Sequence, residues 1–271
     1  MNAIHIVTAI SDEYCRHLAV MLRSLFEHKK LDYNVHLYIL NSGLSERVTN
    51  TLNDATQDYP LQIHYVLVDR SMYKGLVEQP HISLEAYFRI HIPELLSQDV
   101  KKVIYIDPDT IIKENIYDLW NIDISDYYLG AVEWAFGDNR MSILSIPEQY
   151  GYFNAGVLLI NLEKWRKENV AQRVWDFLNN NPDKIRHMDQ DALNAILYDS
   201  RLSLDPKWNY TTGHLLLLRL DIAPAIIHFS GPRKPWTQGH PLEEEYFNYL
   251  KKMKWDYDLL FGLKLPAPVQ S

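Results

Sequence analysis

Glycine is scarce in this chain, with 10 residues in 271, and cysteine is reduced to Cys15 alone. A single thiol excludes an intrachain disulfide and a multi-cysteine zinc site. No G-x-G-x-x-G, G-K-[ST], G-x-S-x-G or H-E-x-x-H occurs. The dinucleotide fingerprint, the phosphate loop, the nucleophile elbow and the zincin helix are therefore all missing. A nucleotide site here must use metal and side chains rather than a glycine-rich cradle. Positive charge is in deficit: 27 Lys and Arg stand against 35 Asp and Glu, a net of −8. That argues against a general nucleic-acid binder, which needs a basic face, but leaves room for a local basic patch around one phosphate group. Long apolar runs are lacking too. The longest charge-free run, Gln149–Leu162, has 14 residues, too few to span a bilayer. Ala3–Ile10 has neither a basic flank nor a small-residue cleavage site. No signal peptide is read, and a cytoplasmic enzyme or binding protein is expected.

What is present is ordinary globular composition, 47% apolar and 23% charged, in a chain long enough for one large or two small domains. The first half alternates apolar runs with helical patterns. Strands are expected at Ile4–Val7, Val35–Leu40, Leu61–Val68 and Val103–Ile106. Helices are expected over Asp12–His28, with Leu18, Met21, Leu22 and Leu25 on one face, from a Ser45 cap to about Asp58, and over Leu84–Leu96, interrupted by Pro93. Such alternation implies a mostly parallel sheet covered on both faces. The second half is less regular. It offers strands at Tyr128–Val132, Gly156–Leu162 and Ala225–Phe229, and helices at Glu163–Asn179, Asp189–Tyr198 and Leu242–Lys254. Without repeats or a low-complexity linker, one α/β domain fits better than two.

The most informative segment is Val103-Ile104-Tyr105-Ile106-Asp107-Pro108-Asp109-Thr110. Four apolar residues cross the sheet, then two carboxylates follow, separated by one proline. Ligands of open α/β sheets bind beyond the carboxyl ends of strands. Residues i and i+2 of an extended chain point the same way. Two like charges that close repel unless a cation lies between them, and Mg²⁺ or Mn²⁺ is the natural partner of oxygen ligands. On this segment alone a solvated turn is an equal alternative, because Asp and Pro favour turns. Aspartate-nucleophile phosphatases of the haloacid dehalogenase type also carry D-x-D at a strand end. Here, however, the pair is mid-chain, and Gly137-Asp138 is followed by no Asp four residues on.

A second cluster is Ile226-Ile227-His228-Phe229-Ser230-Gly231-Pro232-Arg233-Lys234-Pro235-Trp236. His228 ends an apolar strand and offers the imidazole of an O,O,N metal site. Gly231 lets backbone approach a ligand closely, and Lys234 is a point charge suited to a phosphate oxygen. Taken singly, a hydrogen-bonded strand-end histidine and a solvated basic loop are the ordinary roles. Combined with the Asp pair, the set describes a metal-diphosphate site.

In order along the chain, these motifs resemble glycosyltransferase family 8. The likeness is to its bacterial α-galactosyl- and α-glucosyltransferases of lipopolysaccharide-type synthesis, with glycogenin more distant. The resemblance runs from about Ile4 to Trp236. It rests on Ile6-Val7-Thr8-Ala9 with Asp12 and Tyr14, and on His81-Ile82-Ser83 leading to Tyr87-Phe88-Arg89. It continues through Tyr105 to Asp109, Tyr152 to Leu162 with Trp165, Asp189-Gln190-Asp191-Ala192-Leu193-Asn194, and His228 to Trp236.

The family implies a GT-A fold, in which a Rossmann-like, mostly parallel central sheet is flanked by helices. Residues 1–240 would form the catalytic domain and residues 241–271 a C-terminal helix and tail. It implies a UDP-hexose donor, glucose or galactose, a glycan, glycolipid or glycoprotein acceptor, no nucleic acid, and retention of anomeric configuration. Its metal is Mn²⁺, with Mg²⁺ as a substitute. By matching motif, Asp107, Asp109 and His228 would ligate the metal. Gly231 and Lys234 would hold the diphosphate. Ala9 and Asp12 would lie near uracil and ribose, and Tyr14 and Pro108 complete the nucleotide-binding set. Arg89 would contact the donor sugar or diphosphate. Asn154 and Ala155 would line the sugar pocket, with Asp189 and Gln190 beside the reacting carbon, so that Asn154, Asp189 and Gln190 form the catalytic group.

Two departures stand out. Ser11 stands where relatives often have Asp, which moves the expected uracil contact to a backbone group or to Asp12, and Glu133 stands where a shorter Asp is expected, which bears on the sugar hydroxyl contacts and so on donor choice. Structural roles compete at several positions: Arg89 as an ion-pair partner, Asn154 as a backbone-satisfying amide, Asp189 as a helix N-cap. Two other functions compete: a self-glycosylating initiator using one of the 18 tyrosines, and a non-catalytic nucleotide-sugar-binding protein. In the tail, Lys251-Lys252-Met253-Lys254-Trp255 precedes Tyr257, Leu259, Leu260 and Phe261. Weak peripheral contact with the inner face of an anionic membrane and packing on the core are the two expectations for it.

Overall fold

Apolar residues in consecutive positions, rather than alternating ones, mark a strand buried on both faces, and Val103–Ile106 is such a run at the centre of the sheet that the first half of the chain builds. The computed structural model describes residues 3–30, 33–79, 82–135, 139–237 and 239–253. Among these described residues ten strands follow one another: β1 (Ala3–Ala9), β2 (Asn34–Asn41), β3 (Leu61–Leu67), β4 (Lys102–Ile106), β5 (Thr110–Ile112), β6 (Leu129–Glu133), β7 (Phe153–Asn161), β8 (Arg201–Ser203), β9 (Tyr210–Thr211) and β10 (Ile226–His228). Seven form the central sheet in the order β3-β2-β1-β4-β7-β6-β8. All neighbours in it are parallel except β7, which runs antiparallel to β4 and β6. A small second sheet, β5-β10-β9, pairs His228 with both Thr110 and Thr211.

Side-chain alternation divides the core. Ile4, Ile6, Ile104, Ile106, Val157 and Leu159 pack on one face against Leu18, Met21, Leu22 and Leu25 of the helix Cys15–Glu27. Val7, Val103, Tyr105, Leu158 and Ile160 pack on the other, against Tyr87, Phe88, Ala192 and Leu193. Most of these residues are fully buried, and each buried Val, Leu or Ile contributes roughly 1.5–3 kcal/mol.

The expected four strands of the first half are all present, and Ser45 caps its helix by accepting from the Val48 N–H. Four expectations change. Leu84–Leu96 is a 3₁₀ helix, Leu84–His91, followed by one α-turn, Ile92–Leu95. Pro93 cannot donate a backbone hydrogen bond, so it is placed in the first turn of a new helix rather than inside an old one. Three residues per turn bring Ala86 and Arg89 onto the same side, and both face the cavity described below. Glu163–Asn179 is two helices, Leu162–Lys167 and Val170–Asn180, separated where Asn169 adopts a left-handed φ of 51°. β7 starts at Phe153, three residues before the expected Gly156. The last helix is Glu243–Leu250, with Tyr246, Tyr249 and Leu250 packed on Val20, Ile111, Ile227 and Phe229. Lys254 and the apolar tail after it lie outside the described residues, as do His81 and Gly137-Asp138.

Candidate active site

The carboxylate pair lies where the two sheets meet. β4 ends at Ile106, and the Asp107 N–H donates to the Gly156 carbonyl on β7 at 2.8 Å. Pro108 redirects the chain straight into β5, and the Asp109 carbonyl accepts from the Phe229 N–H at 3.0 Å. That bond anchors Asp109 beside β10, which delivers His228. Ligand atoms of Asp107, Asp109 and His228 all lie within 4.8 Å of one another. His228 Nε2 is 3.8 Å from Asp107 Oδ2 and 3.5 Å from Asp109 Oδ1.

This donor set fits a divalent cation: two carboxylate oxygens and one imidazole nitrogen face a common point. Gly156 makes the room. A Cβ there would lie 2.2 Å from His228 Cε1 and 2.8 Å from Asp107 Oδ2. The buried Ser230 hydroxyl also lines the space and has no hydrogen-bond partner within the protein, as a group reserved for a ligand would.

Lys234 completes the charged side. Its Nζ donates to Asp109 Oδ2 at 2.5 Å and to the Phe229 carbonyl at 2.8 Å. Burial alone would raise the Asp109 pKa, but Lys234 and His228 outweigh it and hold the carboxyl well below the usual range. Gly231, at φ +83°, makes the turn between His228 and Lys234 in a conformation that L side chains rarely adopt.

Arg89 joins this group to the next. Its guanidinium is buried, 2.8 Å from Asp189 Oδ2 through Nε and 3.4 Å from Asp107 Oδ1 through Nη2. It also donates to the carbonyls of Ala86 and Ala155 and stacks 4.4 Å from the centre of the Tyr105 ring. The Tyr105 hydroxyl donates to Asp107 Oδ1 at 2.9 Å. Burial works against the guanidinium charge, but Asp107 and Asp189 more than compensate and its pKa is raised. Burial lifts Asp189 to about 7 against the pull of Arg89.

The other side is built on amides. Gln190 Oε1 accepts from the Ala155 N–H and from Asn154 Nδ2, both at 3.0 Å. Asn154 Oδ1 accepts from the Gly156 N–H at 3.0 Å and from Asn209 Nδ2 at 2.8 Å. Asn194 exchanges hydrogen bonds with both backbone groups of Phe153, at 2.7 and 2.9 Å, fastening the helix Met188–Leu197 to β7. Gln190 Nε2 donates to the Tyr152 hydroxyl, which donates to Asp191. Asp191 is wholly buried, paired with both Arg140 Nη2 at 2.7 Å and Nε at 3.0 Å. It also accepts from the backbone of Arg186 and His187.

A single cavity of about 590 Å³ contains both sides. Asp107, Asp109, His228 and Lys234 line it together with Asn154, Ala155, Asp189 and Gln190. Ala9, Tyr14, Arg89, Pro108 and Gly231 line it as well. Burial, then Asp109 and Asp107, push the Tyr14 phenol upward. Asp12 does not line it; its carboxylate accepts from the Ser45 N–H at 3.1 Å. Glu133 is exposed, and its neighbour Trp134 faces the cavity instead. Motif reading gave no role to Tyr152, Asp191 or Asn194, although all three fall inside quoted motifs, and Asn209 and Arg140 fall outside any. Their signal was available only as polar residues inside otherwise apolar or helical runs.

A mostly parallel sheet with two carboxylates at the carboxyl end of a central strand is the architecture of the GT-A glycosyltransferases, and comparison with known proteins agrees. Residues 5–239 match the family described as glycosyl transferase family 8. The chain belongs to that family. It is 38% identical to general stress protein A of Bacillus subtilis strain 168, over 93% of this chain and 94% of that one. It is 28% identical to the lipopolysaccharide 1,3-galactosyltransferase of Salmonella typhimurium, over 76% and 66%. Among solved structures, the galactosyltransferase LgtC in complex with donor and acceptor sugar analogs matches with a TM-score of 0.86 at 23% identity, covering 95% of this chain and 100% of that one. Among the described residues no helix is long and apolar enough to cross a membrane.

Proposed function

We infer that this glycosyltransferase moves glucose or galactose from a UDP-sugar to a hydroxyl of a cell-surface glycan, glycolipid or glycoprotein, with Mn²⁺ and with retention at the anomeric carbon. The observation that carries the reading is one cavity lined by the Asp107-Asp109-His228 cluster with Lys234 and by the amides of Asn154 and Gln190. The first suits a diphosphate, the second a sugar. The lipopolysaccharide 1,3-galactosyltransferase among the relatives supports a hexose donor and a carbohydrate acceptor.

Asp107, Asp109 and His228 would hold the metal. When bound, a divalent cation supplies Lewis-acid stabilisation of the charge that develops on the departing diphosphate. Lys234 brings an ammonium to the same side, and Gly231 lets the backbone approach the phosphates. Ala9, Tyr14 and Pro108 belong to the nucleotide end, whereas Asp12, bound to the Ser45 N–H outside the cavity lining, loses the ribose contact expected of it. Arg89 holds Asp107 and Asp189 in mutual register, and Asn154, Ala155, Asp189 and Gln190 orient the sugar. Gln190 is an amide and a poor nucleophile. The reaction then runs by same-face attack, with a UDP phosphate oxygen taking the acceptor's proton, and gives an α-linked product from an α-linked donor.

The test is UDP release across a panel of UDP-sugars. UDP-glucose or UDP-galactose should be consumed, EDTA should abolish the activity and Mn²⁺ restore it, and the anomeric proton coupling should report an α linkage. Consumption of none of the UDP-sugars would end the reading; a β-linked product would end its retaining part.

A further inference from the structure

His228 directs Nε2 at the two aspartates, and its other ring nitrogen lies 2.9 Å from Oδ1 of Asn209. Asn209 is wholly buried, at the end of the 3₁₀ turn Pro206–Asn209 and directly before β9. An amide side chain can face either way, so its polarity must be deduced from its neighbours. Here the backbone decides it. The Gly156 N–H can only donate, and it points at Asn154 Oδ1. That atom is therefore an oxygen, and the group of Asn209 that stands 2.8 Å from it is the Nδ2 donor. The remaining atom, Oδ1, faces His228. A carbonyl oxygen only accepts, so Nδ1 carries the proton and Nε2 keeps its lone pair for the space between the aspartates. One N–H on β7 thus sets the tautomer of a histidine two side chains away. The preceding N–H, of Ala155, orients Gln190 in the same manner, and Asn154 links Gln190 to Asn209.

We propose that Asn209 is a positioning residue that couples the cation site to the amide wall. Its Oδ1 holds His228 in the ligating tautomer. Its Nδ2 holds Asn154, and through it Gln190, in place. The proposal rests on the reading of His228 as a metal ligand.

Two substitutions separate the two tasks. Asn209→Leu removes both hydrogen bonds. Asn209→Asp keeps an acceptor for Nδ1–H but sets an oxygen against Asn154 Oδ1. Loss of such an outer partner typically weakens metal affinity 10- to 100-fold. Mn²⁺ binding to the metal-free protein, read from the EPR signal of the free ion, should weaken about 30-fold in Asn209→Leu and less than about threefold in Asn209→Asp. Transfer kcat should fall about tenfold or more in both. An Asp variant that binds Mn²⁺ normally yet turns over slowly cannot be explained by misfolding. Wild-type Mn²⁺ affinity in a folded Asn209→Leu protein, or wild-type kcat in Asn209→Asp, would overturn the proposal. A second arm needs no metal: ¹⁵N NMR of labelled histidines at alkaline pH, with His228 assigned through His228→Gln. The wild-type and Asp proteins should show the Nδ1–H tautomer, and the Leu protein a mixture. An Nε2–H tautomer in the wild type sinks the assignment. Absence of Mn²⁺ binding by a wild-type protein that keeps the Nδ1–H tautomer would strike the metal reading and support the tautomer-setting task.

Discussion

Along one wall of the cavity stand Asp107, Asp109, His228 and Lys234, and along the other Asn154 and Gln190, backed by the buried amides of Asn194 and Asn209. The first wall brings like charges together. Lys234 engages Asp109 Oδ2, and Arg89 with the Tyr105 hydroxyl engages Asp107 Oδ1, while Asp109 Oδ1 and Asp107 Oδ2 face His228, which leaves two carboxylate oxygens and an imidazole nitrogen for a cation. The second wall is closed on itself, each amide answered by another or by a backbone group of β7. Charge is gathered where chemistry needs it, and position is kept by groups that do not titrate. Separating these tasks lets the geometry survive changes in ionic conditions that would disturb the charged wall.

The comparison breaks most sharply at the carboxylates. Asp109→Ala or Asp107→Ala should lower turnover at least about a thousandfold with the fold retained, measured by UDP release and circular dichroism. Full activity of Asp109→Ala in EDTA would remove the metal from the charged wall. Gly156 is where the two walls touch, since its N–H orients Asn154 and its missing side chain admits His228. Gly156→Ala must push the imidazole aside. About a hundredfold loss of turnover is expected, with about 1–3 kcal/mol of destabilisation from overpacking, read by urea unfolding. Unchanged Mn²⁺ affinity in this variant would show that His228 tolerates displacement.

Gln190→Ala touches the neutral wall only. It should slow transfer about 10- to 100-fold and leave Mn²⁺ affinity unchanged, because no covalent bond to the residue is required. A trapped glycosyl adduct on Gln190 or Asp189 would replace same-face attack with double displacement. The smallest effect concerns Asp189, which lies between the walls. Its folded-state pKa, about 7, exceeds the unfolded value of about 3.9, so the folded protein holds the proton more tightly. Its contribution to stability is full below the unfolded pKa and declines as pH rises through that range to about 7. Unfolding free energies at pH 5 and pH 8 should therefore differ more in the wild type than in Asp189→Asn, and an equal difference would contradict the assignment.

How much could be read in advance depends on how local the cause is. β4 is legible because burial on both faces writes an unbroken apolar run into it, and β1 to β3 because Val, Ile, Leu or Tyr cluster in each, interleaved with His or Gln where a face is less buried. Asp107-Pro108-Asp109 is legible because the run stops abruptly at two carboxylates. β5, β8 and β9 are two or three residues long; their partners, not their composition, make them strands. The 3₁₀ winding of Leu84–His91 carries the same apolar pattern as an α-helix over so short a span. Asn209 and the Arg140–Asp191 pair were invisible for a related reason. The role of a buried polar group is decided by what abuts it, and these partners come from 19 to 55 residues away.

Asp107 closes a strand of the large sheet, and His228 closes a strand of the small one. An ion held between them is therefore a clasp between two separately hydrogen-bonded layers, and by mass action it adds RT ln(1 + [ion]/Kd) to the stability of the whole, about 2.7 kcal/mol at a hundredfold excess over Kd. The protein then carries its own gauge of loading. A rise in melting temperature with Mn²⁺, lost in Asp107→Ala and in His228→Ala alike, would report the clasp with neither donor nor acceptor in the tube.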